Sequence, residues 1–382
     1  MKITGVETFL VPPRWLFVKV STDEGVSGWG EASLEGRTDT ARTAIVELED
    51  YLVGEDPLHI EKHWQVMSKS SFYRGGPVLS TAVAGIDQAL WDIAGKWRGA
   101  PVHELLGGPV RDRARVYSWV GGDVPGKIVD EIAERREAGF DAVKLNASGP
   151  LLHLDNPSAI ERVVSLASSA RDALGPDADF ALDFHGRFSA PMARRVLAEL
   201  APLRPMFVEE PVLPEFTGTR LRDITESTVV PIAVGERLFS RSDFLPALRA
   251  GIAVTQPDVS HCGGISEVRR VAALAECFDV TLAPHCPLGP IALAASLQIA
   301  FATPNFLIQE QSAGIHYNKG NDLLDYLIDR SVFTYKAGHC ERPSKPGLGI
   351  EIDEKAVRQA AELGHDWRTP HWQHRDGSFA EW

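Results

Sequence analysis

The sequence has few cysteines, no cluster of basic residues and no long uninterrupted apolar segment. Its four cysteines form no CxxC pair, which argues against a disulfide framework or a structural zinc site and favours reduced thiols in the cytoplasm. Nowhere are five or six Lys and Arg residues adjacent, and the formal net charge is −13, so we expect no nucleic-acid partner. The N-terminal segment MKITGVETFLVPPRW has the pattern of neither a signal peptide nor a membrane span, so we expect no membrane contact.

The chain does contain enough apolar material for a large core. It has 382 residues, 44% of them hydrophobic, with 16 Phe and 9 Trp. This length exceeds what one ordinary core needs, and it predicts either one barrel-type domain or two domains packed together. The acidic balance leaves an anionic substrate possible if a metal ion or local cations receive it.

The pattern of apolar residues changes twice along the chain. Over residues 1–112, strand-like segments precede helical ones, which predicts an α+β domain. Over residues 113–330, eight short apolar runs alternate with amphipathic stretches, which predicts a parallel barrel, although an open doubly wound sheet fits the same alternation. The count of eight favours the barrel. Residues 331–382 lack this alternation but contain three Trp residues, and we expect them to pack back on the N-terminal domain.

Carboxylates end three successive strand-like runs of the predicted barrel. Asp183, Glu209 and Glu236 lie about one βα unit apart, so all three are expected at the C-terminal end of the barrel, where catalytic residues of such barrels lie. Three carboxylates without Cys or His suit Mg²⁺ better than Zn²⁺ and leave positions open for a substrate. The alternative for each is a solvated strand end or a helix cap. Glu210 is not counted as a ligand, because the next residue of a strand points to the opposite face.

Two histidines are expected on either side of these carboxylates. His185 lies two residues beyond Asp183 and therefore on the same face of the strand. His285 ends the seventh run, four strands away, so it is expected to face a bound substrate from the opposite side. Either histidine can act as base or acid near neutral pH, and Asp258 on the neighbouring strand can orient His285.

Three further polar residues end the second and eighth runs. Lys144 and Asn146 lie in VKLN, where Lys144 is expected to hold a substrate carboxylate or to be a simple cation of the barrel end. Glu310 ends the eighth run. It is expected either to hydrogen-bond a developing enolate oxygen or to pair with Lys144, and both alternatives stay open.

Long motifs of the chain resemble a known family. LDFHGR, FVEEPV, AVGERLFSR, QPDVSHCGGISE, APHCPLGPIALAA and KPGLGIEID are similar to motifs of the mandelate-racemase-like branch of the enolase superfamily. The resemblance spans the whole chain. It implies an α/β fold, a modified (β/α)7β TIM-type barrel with an α+β capping domain, and one Mg²⁺ per active site on Asp183, Glu209 and Glu236.

The resemblance also implies roles for the titratable residues. The base corresponds to His285, its support to Asp258, the acid to His185 and the group that stabilises the intermediate to Glu310. Many relatives carry Lys-x-Lys on the second strand, whereas this sequence has Lys144-Leu145-Asn146. The departure removes a lysine base and assigns the proton chemistry to the histidines, as in the sugar-acid dehydratases of this branch.

The implied reaction is the dehydration of a sugar acid, D-galactonate, to 2-dehydro-3-deoxy-D-galactonate. The α proton leaves first and the 3-hydroxyl follows with help from the acid, and histidines on opposite sides predict anti elimination. Dehydration of another aldonate such as D-gluconate, a racemase or epimerase reaction, and a non-catalytic scaffold are the alternatives. We also expect a homo-oligomer.

The capping domain is expected to read the distal end of the sugar acid. The candidates are Trp15, at the tip of the first hairpin, and Tyr73 and Arg74 in the SFYRGGP segment. A tryptophan at a hairpin tip is as often a packing anchor as a lid over the site. The sequence signals for substrate specificity are therefore weaker than those for reaction type.

Overall fold

The computed structural model describes residues 1–123, 128–313, 315–318 and 320–382. Its strands are β1 (Ile3–Val11), β2 (Trp15–Thr22), β3 (Ser27–Glu31), β4 (Arg113–Arg115), β5 (Ser118–Trp119), β6 (Ala142–Asn146), β7 (Asp179–Asp183), β8 (Phe207–Glu209), β9 (Ile232–Val234), β10 (Val254–Thr255), β11 (Thr281–Leu282), β12 (Tyr335–Lys336), β13 (His339–Glu341), β14 (Trp372–Gln373) and β15 (Phe379–Ala380). Its α-helices are α1 (Thr38–Leu52), α2 (Ile60–Lys69), α3 (Gly76–Arg98), α4 (Val102–Leu105), α5 (Val129–Glu137), α6 (Pro157–Leu174), α7 (Ala190–Leu200), α8 (Leu221–Thr225), α9 (Arg241–Arg249), α10 (Gly264–Glu276), α11 (Pro290–Ala302) and α12 (Glu354–Leu363). Short 3-10 helices lie at Ala201–Leu203, Pro214–Phe216, His316–Asn318 and Arg330–Phe333. Over the described ranges, none of the helices is both long and apolar enough to span a membrane.

The N-terminal part forms the predicted α+β capping domain. Strands β1, β2 and β3 make an antiparallel sheet, and α1, α2 and α3 pack on it. Helix α3 lies directly against β3 because both carry glycine at the crossing point. A Cβ atom on Gly30 would lie only 1.9 Å from the carbonyl oxygen of Gly85. Glycine at these positions therefore lets the helix and sheet backbones touch.

The barrel predicted from the alternating pattern is confirmed. Strands β5 to β11 form one parallel sheet in sequential order. The eighth run closes the barrel through isolated parallel bridges, from Gln309 to Val116 beside the first strand and from Phe306 to Leu282 on the seventh. Seven helices, α5 to α11, connect the eight runs, which is the (β/α)7β arrangement.

Alternation along the barrel strands places their terminal polar residues at the barrel mouth. Ala181 on β7 and Phe207 on β8 belong to the buried cluster that fills the barrel interior. Successive side chains of a strand point to opposite faces, so the residues two positions further, Asp183 and Glu209, point to the same interior. Parallel register pairs these two residues directly, which brings both carboxylates to one level.

The capping domain is fixed to the barrel by buried polar contacts. Glu31 at the end of β3 accepts hydrogen bonds from the backbone N–H groups of Gly289 and Ala292, at 2.8 and 3.0 Å, and so caps the N-terminus of α11. Burial raises the pKa of Glu31 to about 7. The Trp64 indole donates to the carbonyl of Gly263, 2.8 Å away, before α10. These contacts hold the cap over the C-terminal end of the barrel.

The C-terminal segment packs first on the capping domain. Helix α12 lies against β1, and Lys19 on β2 bonds Glu354 at 2.8 Å. The chain then continues past the helix and ends in the short hairpin of β14 and β15. Its last residue, Trp382, reaches the mouth of the barrel.

Candidate active site

A cavity of about 890 Å³ lies where the capping domain covers the C-terminal end of the barrel. Its walls come from three parts of the chain. The lining residues include Arg14, Glu35 and Arg37 from the cap, Asn146, His185, Glu236 and His285 from the barrel, and Tyr317 and Trp382 from the C-terminal third. The predicted strand-end residues therefore share one cavity with parts of the cap.

The three predicted metal ligands lie on adjacent strands, and Glu236 lines the cavity. Asp183 and Glu209 end β7 and β8 and are fully buried, and Glu236 follows β9 with a side chain that is 13% exposed. Ligand atoms of Asp183, His185 and Glu236 lie within 4.8 Å of one another. Glu209 lies beside this group, and its Oε2 bonds Lys144 at 2.6 Å. The structure thus brings two of the three predicted ligands together with His185 and holds the third against a lysine.

The charge of this cluster suits a hard cation. Among the described residues, Glu209 Oε1 is buried without a hydrogen-bond partner. Burial and the charge of Asp183 raise the pKa of Glu209 well above its usual value. Although burial opposes ionisation, His285 holds the pKa of Glu236 well below its usual value. A cation bound here would satisfy the free oxygen and relieve the repulsion between carboxylates, so the residues present fit a metal ion.

Lys144 neutralises part of the cluster from within the barrel. Its fully buried Nζ lies 2.6 Å from Glu209, 3.0 Å from Glu310 and 3.6 Å from Asp183. Although burial disfavours the charged form, these carboxylates raise the pKa of Lys144 well above its usual value. The ammonium is also 4.6 Å from the ring centroid of Trp119. The pairing of Lys144 with Glu310, one of the two alternatives for these residues, is therefore present in the structure.

Replacing Lys144 by Met is expected to destabilise the fold by about 3–5 kcal/mol, because it leaves buried carboxylates without a counter-ion. Urea unfolding without metal measures this loss, and saturating Mg²⁺ is expected to recover part of it. The matched control is Lys62→Met, which breaks the pair with Glu55 at an exposed site and is expected to cost less than about 1 kcal/mol. Equal losses for the two variants would contradict the expectation.

His285 is oriented by its neighbours. Its Nδ1 lies 2.7 Å from Asp258 Oδ2, and Ser260 N donates to the other oxygen of that aspartate at 2.6 Å. Although burial opposes ionisation, His261 and His285 lower the pKa of Asp258, so this group stays a carboxylate and accepts a hydrogen bond from Nδ1–H. The other nitrogen, Nε2, faces the cavity 3.0 Å from Glu236 Oε2. Although burial lowers it, the charges of Glu310 and Glu236 raise the pKa of His285 well above its usual value, so the ring is strongly basic.

His185 lies on the other flank of the carboxylates. Its Nε2 is 3.0 Å from Asp183 Oδ2, and Arg187 Nη2 donates to its Nδ1 at 3.0 Å. Arginine only donates hydrogen bonds, so Nδ1 accepts and the ring proton lies on Nε2. The backbone at His185 is left-handed, with φ +49°, and its N–H donates to Asp183 Oδ1 at 2.8 Å. His185 therefore carries a proton on Nε2, next to Asp183 at the cavity.

Glu310 is surrounded by donors. It accepts from the Trp119 indole at 2.6 Å and from the backbone N–H of Cys286 at 2.8 Å, in addition to pairing with Lys144. His285 Nε2 lies 4.0 Å from its second oxygen. Glu310 is thus fixed in the barrel interior, close to His285.

Comparison with known proteins agrees with this arrangement. Residues 8–107 match the mandelate racemase/muconate lactonizing enzyme N-terminal domain, and residues 127–356 match the enolase C-terminal domain-like family. A D-galactonate dehydratase of Variovorax paradoxus is 53% identical over 383 residues, which cover all of both chains.

Solved structures share the fold over the full length. An enolase from Agrobacterium radiobacter with bound sodium and L-malate has a TM-score of 0.90 and 33% identity, with 100% of each chain covered. A mandelate racemase/muconate lactonizing enzyme from Jannaschia sp. CCS1 has a TM-score of 0.85 and 29% identity, covering 98% of this chain and 99% of the other.

The chain belongs to the mandelate racemase and muconate lactonizing enzyme family of the enolase superfamily. The resemblance in its motifs is thereby confirmed, as is the fold that the family implies.

The cap residues expected to read the substrate lie elsewhere than predicted. Trp15 is fully buried and packs against Phe17 and Tyr326, because it begins a strand whose inner face is core. Its neighbour Arg14, in the turn before β2, points to the cavity instead. The side chain of Tyr73 is 80% exposed.

The C-terminal end of the SFYRGGP segment nevertheless reaches the cavity. Arg74 is exposed and donates to the carbonyl of Lys69 at 3.4 Å, whereas Gly76 and Pro77 line the cavity. The segment therefore lies beside the cavity, whereas Tyr73 and Arg74 are not among the residues that line it. The start of α3 at Gly76 turns the chain there and directs Tyr73 outward.

Two arginines beside the predicted site residues were not predicted. Arg187 contacts His185, and its position in FHGR, two residues after the histidine, was the available signal. Arg237 lines the cavity and donates to Glu210 through Nε at 3.0 Å. Glu210, excluded as a ligand, has a left-handed φ of +41° and is turned toward this arginine. Arg237 directly follows the predicted ligand Glu236, which was the available signal.

Proposed function

We propose that the protein is a hydro-lyase that converts D-galactonate to 2-dehydro-3-deoxy-D-galactonate and water. The observation that carries this proposal is the pair of histidines, His285 and His185, on opposite flanks of the carboxylate cluster. Such a pair supports both removal of an α proton and protonation of a leaving hydroxyl. The choice of D-galactonate is supported by the full-length relative with that activity.

We propose that Asp183, Glu209 and Glu236 hold one Mg²⁺. These three carboxylates offer only oxygen ligands, which suits a hard cation. When bound, the ion supplies positive charge that stabilises the negative charge developing on the substrate carboxylate. Lys144 also contacts Glu209, so the lysine sets the position of the Glu209 carboxylate.

The proton chemistry follows from the two histidines. His285 Nε2 takes the proton from C2, while Asp258 holds Nδ1–H and stabilises the imidazolium that forms. His185 Nε2–H gives its proton to the 3-hydroxyl as this group leaves. The resulting enol tautomerises to the 2-keto acid. Because the two rings lie on opposite flanks of the site, the arrangement favours anti elimination.

The second barrel strand supports dehydration over racemisation. Asn146 replaces the lysine base of many relatives, and its Nδ2 donates to the carbonyl of Gly122 at 3.0 Å. The described part of this strand therefore contributes no second base. We propose that Lys144 and Asn146 border the substrate carboxylate and that Glu310, beside Lys144, stabilises the charged intermediate through a hydrogen bond that it donates when it carries a proton.

A screen of C5 and C6 aldonic acids with Mg²⁺, read by 2-keto-3-deoxy products, tests the proposed function. Turnover of D-galactonate is the expected result. Preferred turnover of another acid, such as D-gluconate, would keep the reaction type and contradict the substrate. Exchange of the C2 proton without a keto product would indicate a racemase or epimerase, and no reaction with any acid would favour a non-catalytic scaffold.

The cellular location and the oligomeric state of the protein stay predictions. All four cysteines are free, which is compatible with the proposed cytoplasmic location. Assembly into a homo-oligomer is checked by light scattering of the purified protein.

A further inference from the structure

The last residue of the chain forms part of the active-site wall. Trp382 lines the cavity beside His185, and the centroids of the two rings are 6.3 Å apart. Its indole Nε1 is buried and lies close to the carboxylate of Asp123. The ring of Trp382 is therefore in a position to contact a ligand in the cavity.

Trp382 belongs to an aromatic wall, which we define as Tyr317, Trp367 and Trp382. The ring of Tyr317 is 6.1 Å from each tryptophan ring, and the two tryptophan rings are 6.2 Å apart. Arg14 of the cap lies over Tyr317 at 4.9 Å and over Trp367 at 5.7 Å. The wall therefore connects the cap, the region after the eighth strand and the C-terminal tail.

The tail is held in place by contacts that do not involve Trp382 itself. Trp372 on β14 lies against the guanidinium of Arg187 at 4.7 Å. Thr369 packs closely on Gly36 of the cap, where a Cβ atom would lie 2.2 Å from its Oγ1. A change at the last residue is therefore expected to leave the path of the tail intact.

We propose that the aromatic wall binds the distal end of the sugar acid and that Trp382 determines the preference for six-carbon substrates. This inference rests on the proposed function, which places C2 at His285 and the 3-hydroxyl at His185. The carbon chain beyond C3 must then continue past His185, where the Trp382 ring lies. Aromatic rings pack well against the C–H groups of a sugar chain.

The test compares D-galactonate with L-arabinonate, which has the same configuration at C2 to C4 and lacks C6. Trp382→Ala is expected to lower kcat/KM for D-galactonate by about 30-fold, mostly through KM, because it removes contact with the distal carbons. The same change is expected to alter kcat/KM for L-arabinonate less than about threefold. L-Arabinonate is measured as an alternative substrate or, if it is not turned over, as a competitive inhibitor.

Two further variants test whether a loss of activity comes from the missing aromatic contact with the substrate or from a folding defect. Trp382→Phe keeps an aromatic ring and is expected to retain most of the preference for D-galactonate. Trp97→Ala removes a tryptophan that is 47% exposed on α3 and is expected to change neither acid. Unfolding temperatures of all variants are compared with that of the unchanged protein.

The outcomes distinguish this inference from the function on which it rests. Equal losses for both acids, or no loss for either, would overturn the role of Trp382 and leave the dehydratase assignment standing. A lack of D-galactonate turnover by the unchanged protein would overturn the proposed function and the inference with it.

Discussion

Replacing His285 by Asn is expected to lower kcat for dehydration by about 1,000- to 10,000-fold, because it removes the base that takes the α proton. Asparagine keeps a polar side chain of moderate size next to Asp258, so the carboxylate is not left in an apolar space. The carboxylates on β7, β8 and after β9 are unchanged, and Mg²⁺ binding is expected to persist. Formation of 2-keto product and calorimetric titration with Mg²⁺ measure the two properties separately.

This variant is also expected to lose exchange of the C2 proton with solvent. Proton NMR of D-galactonate incubated in D2O detects that exchange. His153→Asn, a change at an exposed histidine, is the control and is expected to keep both activities. An unaltered rate in the His285 variant would show that another group is the base.

Part of the candidate active site followed from the sequence because it depends on local rules. The spacing of βα units brings Asp183 and Glu209 to the same level, as the parallel register of β7 and β8 shows. His185 follows the end of β7 with a left-handed backbone, so strand alternation does not account for its contact with Asp183. These rules need no knowledge of distant contacts. The fold class was predictable for the same reason.

The contacts of Lys144 were only partly predictable. The sequence left open whether this residue holds a substrate carboxylate or pairs with Glu310. Its position among carboxylates from three other barrel strands, at 2.6 to 3.6 Å, depends on how far the side chain extends inside the barrel. Spacing along the chain does not report that distance.

The cap and tail residues of the cavity were the least predictable. Arg14 and Trp15 are neighbours, and only the packing of Trp15 against Tyr326, far along the chain, decides which of them faces the cavity. Trp382 reaches His185 through a tail that the sequence placed on the capping domain. Both contacts are long-range and have no local pattern that encodes them.

Replacing His185 by Asn is expected to separate the two proton transfers. Without the acid, departure of the 3-hydroxyl slows and dehydration falls by about 100- to 1,000-fold. His285 and Asp258 keep their hydrogen bond in this variant, so removal of the C2 proton is expected to continue. The measurement is proton NMR in D2O, which follows loss of the C2 signal and appearance of the keto product together.

The comparison between the two histidine variants assigns their roles. Exchange at C2 that persists without product in the His185 variant, and is absent in the His285 variant, identifies His285 as base and His185 as acid. Loss of exchange in both would mean that His185 also acts before the carbon–oxygen bond breaks.

Arg187→Lys gives an intermediate case. It weakens the donor that fixes the His185 tautomer and keeps the ring, so dehydration is expected to fall less than in the asparagine variant while exchange continues.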